Sequence, residues 1–354
     1  MNITSTTRIN EFSKYTILNI LGMMGLSCYI LADTFFVSKA LGAVGLTALN
    51  LAIPAYTFIH GTGLMLGMGG ATRWSILKAS GSDRGDAVFT TAFRLTVILS
   101  LGFSALGLLG SAPLARLLGA DEITFEMTRT YLRILLLFSP LFMMNDLLLC
   151  FTRNDGAPGL AMKAMLAGSF SNILMDYIFM FPLQLGIFGA VLATGFAPAI
   201  SMMVLSPHLL KKCNTFHLAD GSSSQIPVIA SIGLPSLVAE VSSGAVIIAF
   251  NIIILGLEGN IGVAAYGVVA NLSLVVVSIY TGLSQGVQPL LSRSYGHGDQ
   301  TAVNAFLLYA LATSLALSLL IYGGLFLGAD PVVGIFNSEG NPQLQAMAID
   351  GLRL

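Results

Sequence analysis

The chain has 354 residues, 55% of them hydrophobic and 9% charged, with a net charge of −1; an ordinary soluble domain carries roughly 25% charged residues. Mean hydropathy is +0.84, and near-neutral charge excludes a nucleic-acid surface built on bulk positive potential. Several windows run roughly 20 residues or more with almost no charge, enough to cross about 30 Å of hydrocarbon, so the expected class is an all-α polytopic membrane protein.

The N-terminal stretch "MNITSTTRINEFSKY" is polar and lacks the short apolar core of a removable signal peptide. Apolar windows between polar breaks predict helices over 15–38, 45–70, 88–110, 132–151, 160–182, 186–209, 227–256, 262–290 and 302–328, with a tenth starting near 343. The breaks carry turn residues, as in "SGSDRGD" (80–86), "RNDGAP" (153–158) and "YGHGDQ" (295–300). A cytoplasmic N-terminus puts Arg8, Lys14, Arg73, Lys78, Arg84, Arg94, Arg153, Lys163, Lys211, Lys212 and Arg293 on the inner side. Only Lys39, Arg116, Arg129, Arg133 and Arg353 then fall outside, so that orientation is expected. Cys28, Cys150 and Cys213 show neither a disulfide framework nor zinc-ligand spacing.

The second half echoes the first at a nearly constant offset. "VGLTALNLAIP" (44–54) lines up with "IGVAAYGVVAN" (261–271), "GLMLG" (63–67) with "GLSQG" (282–286), and "MTRTYLRI" (127–134) with "MAIDGLRL" (347–354). Six helices fit one repeat, so the copies enter the membrane in the same sense, a parallel repeat about an axis along the membrane normal. The expected organisation is an N-terminal lobe (1–214, helices 1–6), an inter-lobe cytoplasmic loop (215–226) and a partial C-terminal lobe (227–354, helices 7–9 and the start of 10). A complete second copy would need roughly 80 further residues on this repeat logic, so a fragment or an interrupted gene is expected.

Four acids fall within predicted spans: Asp33, Asp146, Asp176 and Glu240. A charge at the bilayer centre costs at least about 2.5–3.5 kcal/mol, so each needs a cavity, a partner or a function. Tyr29 and Asp33 are four apart, as are Asn172 and Asp176, and each pair shares a helix face. With the N-terminus inside, both helices run outward and both acids lie about a turn and a half below the outer end. Thr194 enters at similar depth on the next helix. Tyr29, Asp33, Asn172, Asp176 and Thr194 are therefore expected to form one polar cluster in the first lobe. A hydrogen-bonded structural network is the competing reading, but two acids exceed what such a network needs. Glu240, in "GLPSLVAEVSSG", divides evenly between a structural and a functional role. Asp146, in "MMNDLLLCFTRNDG", is expected to reach water at the cytoplasmic end. "GMGG" (67–70) reads as small residues for close helix packing, and His60 and His297 have no metal-ligand companions in sequence.

Three segments carry a family resemblance. "ILADTFFVSKALG", "RNDGAPGLAMKAMLAGSFSNILMDYIFMF" and "GLSQGVQPLLSRSYGHGD" occur in the order and spacing of the multidrug and toxic compound extrusion (MATE) transporters, over about residues 14–354. The resemblance implies two six-helix lobes around a central cleft and export of bulky organic cations in exchange for H⁺ or Na⁺. It also implies an ion-coupling network at Tyr29, Asp33, Asn172, Asp176 and Thr194, with no cofactor and no metal other than Na⁺ at Asp33 and Asp176. Glu240 is carried over weakly, as a second-lobe substrate or ion contact, because it lies about one turn too close to Pro235. Some relatives bend their first helix at a proline. Here no proline precedes Pro54, although Gly22 and Gly25 allow flexing.

The expected function is a cation-coupled antiporter in the cytoplasmic membrane, acting as a monomer on cationic small molecules among membrane lipids, with no nucleic-acid partner. The alternative is a flippase for a lipid-linked saccharide, which calls for basic residues in the cavity to meet a pyrophosphate. An intramembrane enzyme using the Asp pair is disfavoured, because an acid pair alone defines no reaction.

Overall fold

The computed structural model describes residues 5–211, 213–336 and 342–353, and those residues are almost entirely helical. α1 (Ser5–Ala79) has one non-helical residue, Gly42, at φ 64° and ψ −155°, a left-handed backbone open to glycine and strained for other residues. The chain turns back there, so that Tyr29 and Tyr56 place their hydroxyls 3.1 Å apart; 27 residues of straight helix would separate them by about 40 Å. The two arms, Thr6–Gly42 and Val44–Ala79, are each long and apolar enough to span a membrane.

α2 (Gly85–Leu117) follows. α3 (Phe125–Leu137) and α4 (Ser139–Asn154) meet at 47°, where the sequence pattern predicts one helix over 132–151. Pro140, in the first turn of α4, has no N–H to continue the ladder, which accounts for the bend. α5 (Pro158–Met180) and α6 (Gly186–Leu210) complete the first lobe. Among the described residues seven helices are long and apolar enough to cross a membrane, and α5 is not one of them; Lys163, Ser169, Asn172 and Asp176 dilute its apolar character, and the last three are buried.

A short 3-10 turn (Ser223–Gln225) leads into α7 (Ile226–Gly296). The rings of Phe250 and Tyr266 stack at 5.6 Å, whereas a straight helix would hold them about 24 Å apart, so α7 also doubles back. Its arms, Ser223–Val246 and Ala265–Gly296, are both span-like. α8 (Gln300–Leu327) starts under an Asp299 cap, whose carboxylate accepts from Ala302 N at 2.9 Å. α9 (Ala329–Phe336) and α10 (Pro342–Arg353) end the described chain.

The largest interface joins α1 to α7. It is close because glycines line it: a Cβ on Gly282 would stand 2.6 Å from Ile20 Cα, and one on Gly286 would stand 2.8 Å from Thr16 Cα. The "GMGG" glycines pack the same way, Gly67 against the Asp146 carbonyl and Gly69 against Ile229.

One end of the molecule gathers the basic residues of the expected inner side. There Arg293 pairs with Glu11 at 2.6 Å, Arg8 with Asp299 at 3.4 Å, and Asp155 with Lys78 at 3.5 Å and His208 at 3.0 Å. The connection between the lobes is strapped to this end. Phe216 is buried among Trp74, Phe89 and Phe151, with ring centroids 4.8–6.0 Å away. Burying a phenylalanine contributes about 1.5–3 kcal/mol, and the His217 and Ala219 amides add bonds to Asp86 and Thr90.

Candidate functional site

α1, α3, α5 and α6 converge on two buried carboxylates. Asp33, on the first arm of α1, is 6% exposed, and Asp176, on α5, is fully buried. The two lie within electrostatic reach of one another. Asn172, one turn before Asp176, holds the site's second layer. With its amide oriented to pair both ends, Nδ2 donates to Asp176 Oδ2 at 3.1 Å and Oδ1 accepts from Thr194 N at 3.2 Å. Thr194 Oγ1 in turn donates to Ala190 O at 3.1 Å.

Among the described residues, Oδ1 of Asp33 and Oδ1 of Asp176 have no hydrogen-bond partner. Among the described residues no lysine, arginine or histidine forms an ion pair with either acid. Two carboxylates in one dry site need a counter-charge. Every side chain grouped here offers oxygen or an amide, a set that suits a proton or a hard cation and offers nothing to a soft metal. Among the described residues no cluster of three or more His, Cys, Asp or Glu is placed to hold a metal ion.

The structure thus draws Asp33, Asp176, Asn172 and Thr194 together. Tyr29 stands at the edge of the group: its hydroxyl bonds Tyr56 rather than either carboxylate. Tyr131, on α3, belongs to the site although sequence reasoning passed over it. It is buried, sits against Thr194, and lies within electrostatic reach of Asp33 and Asp176. Its place near the outer start of a predicted helix, at the depth of Asp33, was the available signal.

Asp33 opens onto a central cavity of about 240 Å³ between the lobes. Glu240, on the first arm of α7, also lines this cavity, as do Leu274, Val277 and Ser278 from the second arm. It packs against Gly61, whose missing side chain makes room for it. Among the described residues, the cavity lining contains two acids and a histidine but no lysine or arginine.

Asp146 does not extend into bulk solvent at the basic end. It is 6% exposed and pairs with His60, Nδ1 to Oδ2 at 3.0 Å. The second arm of α1 comes close enough for this because Gly63 lies against the same carboxylate. Arg153, read from sequence as a loop residue, is also buried. It donates to Asn19 Oδ1 at 2.9 Å, to Gln285 Oε1, and to Cys150 Sγ at 3.2 Å, and so joins the lobes at the basic end. No helix-period signal marks an arginine two residues beyond an apolar window as buried, because Asn19 and Gln285 are remote in sequence.

A profile of the family described as MatE matches residues 19–178 and 235–351. The multidrug export protein MepA of Staphylococcus saprophyticus is 25% identical over 317 residues, covering 88% of this chain and 70% of that protein. MepA of Staphylococcus aureus strain MRSA252 is 26% identical over 273 residues, covering 75% of this chain and 60% of that protein. The chain thus spans about two thirds of the length of these relatives. Among solved structures, an outward-facing multidrug resistance MATE transporter of the MOP superfamily superposes with a TM-score of 0.90 at 24% identity, over 97% of this chain and 77% of that one. A MATE protein in complex with MaL6 gives 0.89 at 24%, over 97% and 78%. At that identity the superpositions show the fold.

Proposed function

This chain belongs to the MatE family of multidrug and toxic compound extrusion transporters, and from that premise we propose that it exports organic cations in exchange for H⁺ or Na⁺ bound at Asp33 and Asp176. The family's members are transporters, not enzymes. The observation that carries the coupling reading is the pair of unpartnered, buried carboxylate oxygens at Asp33 and Asp176.

Residues of this chain divide the work. Asp33 Oδ1 and Asp176 Oδ1 take the proton or cation. Asn172 orients Asp176 and ties it to the α6 backbone at Thr194, so a change of charge at Asp176 is felt by α6. Asp33 and Glu240 both line the central cavity and attract a cationic substrate there. Neutralising Asp33 weakens that attraction. Ion and substrate therefore favour different states, and a ligand shifts an equilibrium only through such differential affinity. The cavity's acids have the wrong sign for a lipid-linked pyrophosphate, which argues against the flippase alternative.

A cytoplasmic N-terminus would make the end carrying Arg8, Arg153 and Arg293 the inner one, closed by hydrogen bonds between the lobes. Efflux of a cationic dye from proteoliposomes, driven first by an imposed pH gradient and then by an imposed Na⁺ gradient, tests the reading. Transport under one gradient names the coupling ion; transport unaffected by either removes the coupling role of the Asp pair.

A further inference from the structure

Below the central cavity lies a second one, of about 70 Å³, toward the basic end. Its lining includes Asn145, Asp146, Arg153, Ser201 and Gln285, far more polar than the wall above it. It is large enough for a few water molecules. Asn145 Oδ1 and Ser201 Oγ, both without a partner among the described residues, are placed to bond water there.

Three rings line both cavities and stand between them: Tyr29, Tyr56 and His60. They form a connected set. The Tyr29 and Tyr56 hydroxyls are 3.1 Å apart, and the Tyr56 ring stacks on His60 with centroids at 5.7 Å and planes within 10°. Beyond His60, the Asp146 carboxylate continues the set into the lower cavity. Titratable and charged groups face this septum from every packed helix. Tyr29 and Asp33 come from the first arm of α1, Asp146 from α4 and Asp176 from α5. Glu240 approaches from α7, and Arg153 and Cys150 lie near Asp146.

We propose that His60 and Asp146 form a second proton-exchange site, set in the septum, through which protons pass between the Asp33 side of the central cavity and the basic end. The inference rests on the ion-coupled reading above and adds a route to it. A neutral imidazole donating through Nδ1 to Asp146 leaves its other nitrogen free to accept. A proton taken there makes an imidazolium paired with the carboxylate. Loss of the Nδ1 proton through Asp146 to water in the lower cavity restores the neutral ring, so one proton enters and one leaves. The lower cavity, floored by Arg153 and Gln285, keeps the lobes joined while this path stays polar. Protons then need not cross the glycine-lined interface between α1 and α7.

The test counts protons released when the intact chain in lipid nanodiscs binds tetraphenylphosphonium, read by a pH dye in weak buffer. His60→Gln and Asp146→Asn should each slow proton release after cation binding by roughly 100-fold, as expected when a positioned proton-transfer group is removed, and leave the number of protons released per bound cation unchanged. Tyr56→Phe keeps the ring stack and removes the hydroxyl, and should slow release without changing its amount. An unchanged rate in all three, with release lost in Asp33→Asn, overturns this inference and leaves the coupling reading intact. Unchanged release in Asp33→Asn as well overturns both. If His60→Gln fails to bind the cation, Asp146→Asn and Tyr56→Phe decide the matter.

Discussion

The two walls of the central cavity carry the same kind of charge in different settings. On the first-lobe wall Asp33 is backed by Asp176, Asn172, Thr194 and Tyr131, a second layer drawn from three further helices. On the second-lobe wall Glu240 is partly exposed to the cavity, beside Ser243, Gly244 and apolar residues of the second arm of α7. Supporting layers hold a group in place and tie its charge to other elements. On the proposed function, the first wall would convert ion binding into movement and the second would meet a substrate.

Breaking the first wall should have the largest effect. Asp33→Asn or Asp176→Asn should lower gradient-driven dye efflux by roughly 5- to 150-fold, the usual span of a coupling free energy. Neither change should lower the melting temperature, because each removes a buried charge that has no counter-ion. A drop in stability with efflux retained would return the cluster to a structural role.

The floor under both walls comes next. Arg153→Leu leaves Asn19 and Gln285 without their buried donor, at a cost of about 1–3 kcal/mol for each group so stranded. Thermal unfolding in detergent reads this loss, and spin labels on the two lobes at the basic end should report a wider separation.

Glu240→Gln sharpens the contrast. It should weaken binding of a cationic dye by about tenfold, equivalent to about 1.4 kcal/mol, while protons released per bound cation stay at the wild-type value. A lost proton count would make the second wall part of the coupling machinery.

The smallest effect lies outside the membrane spans, at Asp121. Thr124 donates to its carboxylate from both hydroxyl and backbone, at 2.7 and 2.8 Å, and these bonds hold the carboxyl below its ordinary value of 3.8. The contribution is therefore complete above the ordinary value and is lost as pH falls from there through the lowered folded value. Asp121→Ala should thus lower the melting temperature slightly at neutral pH and leave it unchanged in strong acid, where wild type has already lost the bonds.

Much of this was written along the chain. Hydropathy windows located the helices because crossing hydrocarbon demands long apolar runs. The four-residue spacings of Tyr29 with Asp33 and Asn172 with Asp176 marked shared faces because a helix turns every 3.6 residues. Depth alone then suggested that Asp33, Asp176 and Thr194 meet. Spacing did not show that Tyr29 turns its hydroxyl to Tyr56, since that choice depends on how the second arm of α1 folds back at Gly42.

Tertiary structure decided the rest. Asp146, expected to reach water, is buried against His60, and Arg153, expected in a loop, is buried between the lobes. Their partners are 86 to 134 residues away in sequence, and glycine-lined contacts fix how near those partners come. Periodicity reports which side of a helix is polar. Which polar group it meets depends on how closely two backbones approach, and here that distance is set by glycines on neighbouring helices.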